Sequence, residues 1–139
     1  MPYTAITNRR SVQWDLQQRA VTNQQGLRTY NGYYMVAVGT YWFDYVGQML
    51  RITLSEGKVF YAIVGDVKDD RHTDANNQFT LENGCWVEFI ICGNWRSHNS
   101  NFCRTAARRG DVSHLGFWGY VVTIERVGNK EEDSNGNLS

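Results

Sequence analysis

The chain has 139 residues, of which 42% are hydrophobic, 20% charged and 14% aromatic, the composition of one globular domain with room for a substantial core. Lys plus Arg and Asp plus Glu balance at 14 each, so no global charge singles out nucleic acid or a membrane surface as partner. The first residues are polar and no apolar run reaches the length of a bilayer span, so neither a secretion signal nor a membrane helix is expected.

Residues 1–25 are polar and rich in Gln and Asn. Residues 11–20 fit a short helix with Trp14 turned inward, and equally an irregular strand. Gly26 and the Asn31-Gly32 pair signal turns, and Asn-Gly suits a two-residue hairpin. Residues 33–38 (YYMVAV) are β-formers ending at Gly39, and the aromatic loop Tyr41-Trp42-Phe43 follows with Asp44 beside it. Residues 47–54 alternate so that Leu50, Ile52 and Leu54 share one face. A turn at 55–58 then leads to a strand over 59–64, and together the two strands make a hairpin.

The stretch 62–91 carries an energetic anomaly. Asp66 ends an apolar strand (AIVGD), and Glu88 lies inside another (CWVEFII). Strands of this kind normally exclude carboxylates, because a buried unpaired charge is expensive. Between them runs a polar loop, residues 69–83, that is dense in ionisable groups and of the kind that carries function. Residues 93–110 are polar and irregular, and their basic cluster Arg104, Arg108 and Arg109 reads as a solvated loop. A last strand covers 119–127, and beyond Gly128 the composition is that of a disordered tail or linker. Cys85, Cys92 and Cys103 form no close CxxC pair, so zinc and a disulfide scaffold are not expected; Cys85 and Cys92 flank a strand and suit small apolar roles, and Cys103 could pair with one of them in an oxidising medium.

Short strands, glycine turns and a single proline argue for a small all-β barrel with long polar loops and at most one or two short helices. Residues 1–32 would be a polar extension packing on the barrel, 33–127 the barrel and 128–139 the tail.

Four segments strengthen this into a resemblance. Tyr34-Met35-Val36-Ala37-Val38-Gly39-Thr40, Val46-Gly47-Gln48, Ala62-Ile63-Val64-Gly65-Asp66-Val67-Lys68 and Val87-Glu88-Phe89-Ile90 resemble, in order and rough spacing, the six-stranded double-psi β-barrel of the three-aspartate cell-wall lytic enzymes. That family is related to murein lytic transglycosylases, rare-lipoprotein-A-like proteins and expansins. The charged segment after Asp66 resembles variants from phages and Gram-positive bacteria. The resemblance covers about residues 33–92 and implies a domain that cleaves peptidoglycan glycan strands without a cofactor. Asp66 takes the place of the strand-end aspartate and Glu88 that of the acid in the last motif. Gly39 stands where the first family aspartate would be. With no signal segment expected, the resemblance implies a phage tail lysin or a segment of a larger tail protein, acting outside the cell at the wall and contacting other tail proteins, but not nucleic acid or membrane.

Glycosidic cleavage of the lytic type needs a carboxylic acid that protonates the leaving oxygen and then activates an internal hydroxyl. Burial beside apolar strands and a second carboxylate both raise the pKa as this acid requires. Asp66 is the candidate acid/base and Glu88 the second carboxylate. Lys68, His72 and Asp74 are candidate substrate-binding groups on the loop side, and Tyr41 and Trp42 are candidate rings for stacking on sugars. The bland alternatives are a capping role for Asp66 and an outward strand position for Glu88. Asp70-x-His72-x-Asp74 also invites a metal reading, which no nearby fourth ligand supports; His98 and His114 lie far along the chain. The competing functional reading is a non-catalytic structural or carbohydrate-binding barrel.

Overall fold

The computed structural model describes residues 1–42, 45–78, 86–93 and 121–128. Several expectations fall outside these residues: Asp44, the turn at Asn83-Gly84, Cys85, the stretch with His98, Cys103, Arg104, Arg108, Arg109 and His114, and the tail after Gly128.

The described chain is mostly strand. After a 3-10 turn at Tyr3–Ala5, helix α1 (Val12–Gln18) begins where the Ser11 hydroxyl accepts the Trp14 N–H at 3.1 Å, and Asp15 sits in the first turn, where the helix dipole favours an acid. Strands β1 (Val21–Thr22) and β2 (Arg28–Tyr30) form a hairpin. Its turn is closed by the Asn23 side chain, which accepts the N–H groups of Gln25 and Leu27 at 2.9 and 3.0 Å. Asn31 and Gly32, at φ 50° and 83°, then join β2 to β3 (Tyr33–Val38). Two positive φ values in a two-residue loop are what a type I′ hairpin turn demands, and Asn-Gly supplies them at least cost.

Strand β4 (Met49–Leu54) and strand β5 (Val59–Val67) make the expected antiparallel hairpin. β5 runs on three residues past the expected end and pairs in parallel with β3. β6 (Val87–Phe89) lies antiparallel to the second half of β3, and β7 (Val121–Arg126) lies antiparallel to β4. The strands form one mixed sheet in the order β1-β2-β3-β5-β4-β7, with β6 beside β3. Residues 21–30, read from sequence as part of a polar extension, therefore join the sheet, β2 pairing with β3 and β1 with β2, and bring it to seven strands among the described residues.

The sheet has two different faces. Leu50, Ile52 and Leu54 of β4, Phe60, Ala62 and Val64 of β5, Val36 and Val38 of β3, and Val87 and Phe89 of β6 bury together in the main core. The period-2 pattern of a half-buried strand puts them on one side. The other face carries a smaller cluster, Met35, Ile63 and Ile90, covered by Leu16 of α1. Arg28 fastens this cover. Its buried guanidinium donates to the Gln17 side chain and backbone carbonyl at 2.9 and 2.7 Å and to Thr22 Oγ1 at 3.0 Å, and it lies 4.1 Å from the centre of the Tyr3 ring. The buried cation is thus satisfied by amide oxygens, a hydroxyl and a π face rather than by an acid.

Candidate functional site

Asp66 reaches its position through a bulge. Along β5 the alternation Phe60, Ala62, Val64 would carry residue 66 into the main core. Instead the pairing with β3 steps from Val36↔Val64 to Ala37↔Asp66, so Gly65 is the extra residue and the parity inverts. Val67 then packs against the main core, and Asp66 faces the helix-covered side. The site of the bulge follows from packing: a Cβ on Gly65 would lie 2.6 Å from Ile90 Cδ1 and 3.3 Å from Met35 Cε. A side chain there would have to push the ends of Ile90 and Met35 aside, and glycine lets the bulge lie against the small cluster without moving them.

Ala37 is the pivot of the site, for it pairs with Asp66 on one side and with Glu88 on the other. Directly paired residues point to the same face, so Asp66 and Glu88 flank a methyl group across about two strand spacings, or roughly 9.5 Å between their Cα atoms. A larger residue at 37 would fill the gap between the two acids.

The two carboxyls live in different surroundings. Glu88 is 7% exposed. Its Oε1 is held by the Lys68 ammonium, and the Met1 amino group lies 3.8 Å from Oε2. The same amino group donates to the Phe89 carbonyl at 2.7 Å. The anomaly of an acid inside an apolar strand is resolved by pairing: Glu88 is a buried anion with cations against it. Among the described residues Asp66 has no such clamp. Its Oδ1 accepts Gln13 Nε2 at 3.3 Å and the Val67 N–H at 3.0 Å. Burial pushes its pKa above the usual carboxylate value, and nearby Glu88 pushes the same way; Gln13, the Val67 N–H and Lys68 oppose the shift. Lys68 thus faces both acids and is bonded to only one of them.

The remaining candidates divide. The loop acids serve the loop: Asp69 caps the 3-10 turn Asp70–His72 by accepting the Arg71 N–H at 2.9 Å, Asp70 accepts the Thr40 hydroxyl at 2.7 Å, and Asp74 accepts the N–H groups of Asn76 and Gln78 at 3.2 and 2.7 Å. His72 is exposed on that turn. No three His, Cys, Asp or Glu side chains gather as metal ligands among the described residues. Trp42 is partly buried against the main core and donates its indole N–H to the Gln78 carbonyl at 2.9 Å, while Tyr41 is 58% exposed and meets it edge-on at 4.8 Å between centroids.

Two neighbours escaped the sequence reading. Trp86 lies 5.4 Å from Trp42, centroid to centroid, because Val38 pairs with Val87 and so brings the two loops together at one sheet end. Gln13 reaches Asp66 from 53 residues away, and no local pattern announces that contact. Gly39, at the same end, is closed to any side chain, since a Cβ there would lie 2.1 Å from the Asn77 carbonyl oxygen and 2.9 Å from its carbon. The backbone of the polar loop occupies the place that a side chain at position 39 would need.

Comparison of the chain with protein-family models, with curated proteins and with solved structures returns no match.

Proposed function

We propose that the chain is a peptidoglycan-directed domain of lytic-transglycosylase type on a double-psi β-barrel, with Asp66 as its single acid/base. The observation that supports this reading is the carboxyl of Asp66, held above its ordinary pKa on a bulged strand and facing Lys68. A protonated Asp66 gives its proton to the glycosidic oxygen, the C1–O bond breaks, and positive charge develops on the sugar ring. The resulting carboxylate is stabilised by Lys68 and by the amide of Gln13, which keeps it competent to take the proton of the sugar's own 6-hydroxyl. That oxygen closes on C1, forming an anhydro ring and consuming no water. Glu88 does not attack in this scheme; it holds Lys68 in place. Tyr41, with Trp42 and Trp86 behind it, offers a ring for stacking at the same sheet end. A phage tail or another surface assembly acting on the wall from outside is the setting that suits this chemistry.

A second reading, a non-catalytic structural or carbohydrate-binding barrel, is favoured by Gly39, where the family's first aspartate has no space. The test is turbidity loss of Gram-positive cell walls with mass spectrometry of the released fragments. Anhydro-muropeptides from the wild type and none from Asp66→Asn support catalysis. Identical behaviour of the two proteins removes Asp66 as the acid and leaves the binding reading.

A further inference from the structure

The face of the sheet opposite the main core carries a row of side chains in one register across five strands. Tyr30 of β2 pairs with Tyr33 of β3. One residue before the Tyr34↔Ala62 pair, Tyr33 faces Tyr61 of β5, with ring centroids 6.2 Å apart. Tyr61 pairs with Arg51 of β4, and Arg51 with Glu125 of β7. The row ends in a forked ion pair, in which Arg51 Nη2 donates to both carboxylate oxygens of Glu125 at 3.1 and 3.3 Å and Nε adds a bond of 3.3 Å.

Tyr30 is covered by the guanidinium of Arg19, 5.8 Å from its ring centre, and Tyr33 is partly buried against the small cluster, but the run from Tyr61 to Glu125 is open. Tyr61 is 47% exposed, and the Arg51 and Glu125 side chains are 45% and 46% exposed. We infer that this row is a binding site for a neutral, extended glycan chain, separate from the Asp66 cluster four residues farther along β3. Three features select that ligand. Tyrosine rings present an apolar face to sugar C–H groups and a hydroxyl to their oxygens. Among the described residues the charges at the row are paired, Arg51 with Glu125 and Arg19 over Tyr30 with Asp15, so the row favours neither an anion nor a cation. The strand spacing of about 4.8 Å is close to the advance of one pyranose ring along an extended glycan, so successive strands meet successive rings. A protein partner fits less well. Beside the row on the same face lie Val59, 39% exposed and paired with Thr53, and Thr123, paired with Thr53 across β4 and β7; one exposed valine among threonines falls short of the broad apolar centre that a stable protein interface needs.

The full-length chain is titrated with a β-1,4-linked N-acetylglucosamine hexamer by calorimetry and co-sedimented with purified peptidoglycan. The expected result is saturable binding by the wild type, weakened at least tenfold by Tyr61→Ala and by Arg51→Ala, and kept by Tyr61→Trp and Asp66→Asn. Circular dichroism of each variant confirms the fold, and because Arg51 is an exposed side chain its variant answers the question even if Tyr61→Ala fails to fold. Absence of wild-type binding to both ligands, or unchanged binding in a folded Tyr61→Ala or Arg51→Ala, overturns the inference, as does a row that captures a protein and no glycan. Because Asp66→Asn is expected to bind normally, loss of cleavage and loss of this site are read independently.

Discussion

Replacing Lys68 with Met tests the account of the buried acid most directly. Met keeps the length and most of the apolar stem of lysine but removes the ammonium that holds Glu88 Oε1. The side chains of Lys68 and Glu88 are 16% and 9% exposed, so water cannot take over the vacated position. Leaving one member of a buried pair uncompensated costs about 3–5 kcal/mol. The Met1 amino group, 3.8 Å from Oε2, retains part of the compensation and places the expectation at the low end, about 3 kcal/mol. With a urea m-value of about 2 kcal/mol/M, typical for a domain of this size, the midpoint falls by roughly 1.5 M. The double variant Lys68→Met/Glu88→Leu is expected to recover most of the loss, because a buried pair replaced by apolar groups of similar volume is often neutral or better. Urea unfolding of the wild type, both single variants and the double variant completes the cycle. A shift below about 0.3 M for Lys68→Met, or additive losses in the double variant, would refute the view that Glu88 is tolerated because Lys68 pairs with it.

Gly39→Ala is expected to destabilise by about 1–3 kcal/mol, because the new Cβ meets backbone at Asn77 rather than the yielding end of a side chain; thermal unfolding measures it, and an unchanged melting temperature would mean that the loop yields freely. Asp66 carries a signed pH dependence. Its folded-state pKa is raised above the ordinary aspartate value, so the folded form holds its proton more tightly than the unfolded chain does. Its contribution is fully present below that ordinary value and is lost as pH rises through the raised one. Asp66→Asn should therefore flatten this part of the stability–pH curve and be no less stable than the wild type at neutral pH; a variant clearly less stable there would show that the ionised carboxylate is a net stabiliser. Asp69 behaves oppositely: bonding to Arg71 lowers its pKa to about 2, and carboxyl NMR titration should find it protonating well below the ordinary aspartate range.

Much of the molecule was legible one segment at a time. Leu50, Ile52 and Leu54 alternate as a half-buried strand must and lie buried together. Asn31-Gly32 turns where its tolerance of positive φ predicts. The Ser11 cap decided the ambiguous stretch at 11–20 in favour of a helix. Strands β1 and β2 were missed because two- and three-residue strands have too few positions to show a period.

Local pattern alone singled out Asp66 and Glu88 as residues in need of an explanation, because carboxylates beside apolar strands are costly wherever the chain goes. Which of them would be paired, and which left with a raised pKa, was decided by long-range contacts. The bulge at Gly65 turned Asp66 away from the main core, the register through Ala37 set it opposite Glu88, and the helix brought Gln13 to it across 53 residues. Alternation within a strand is a property of neighbouring residues, and the sequence displays it. Strand register and bulges come from the fit between distant side chains, and only the folded sheet determines them.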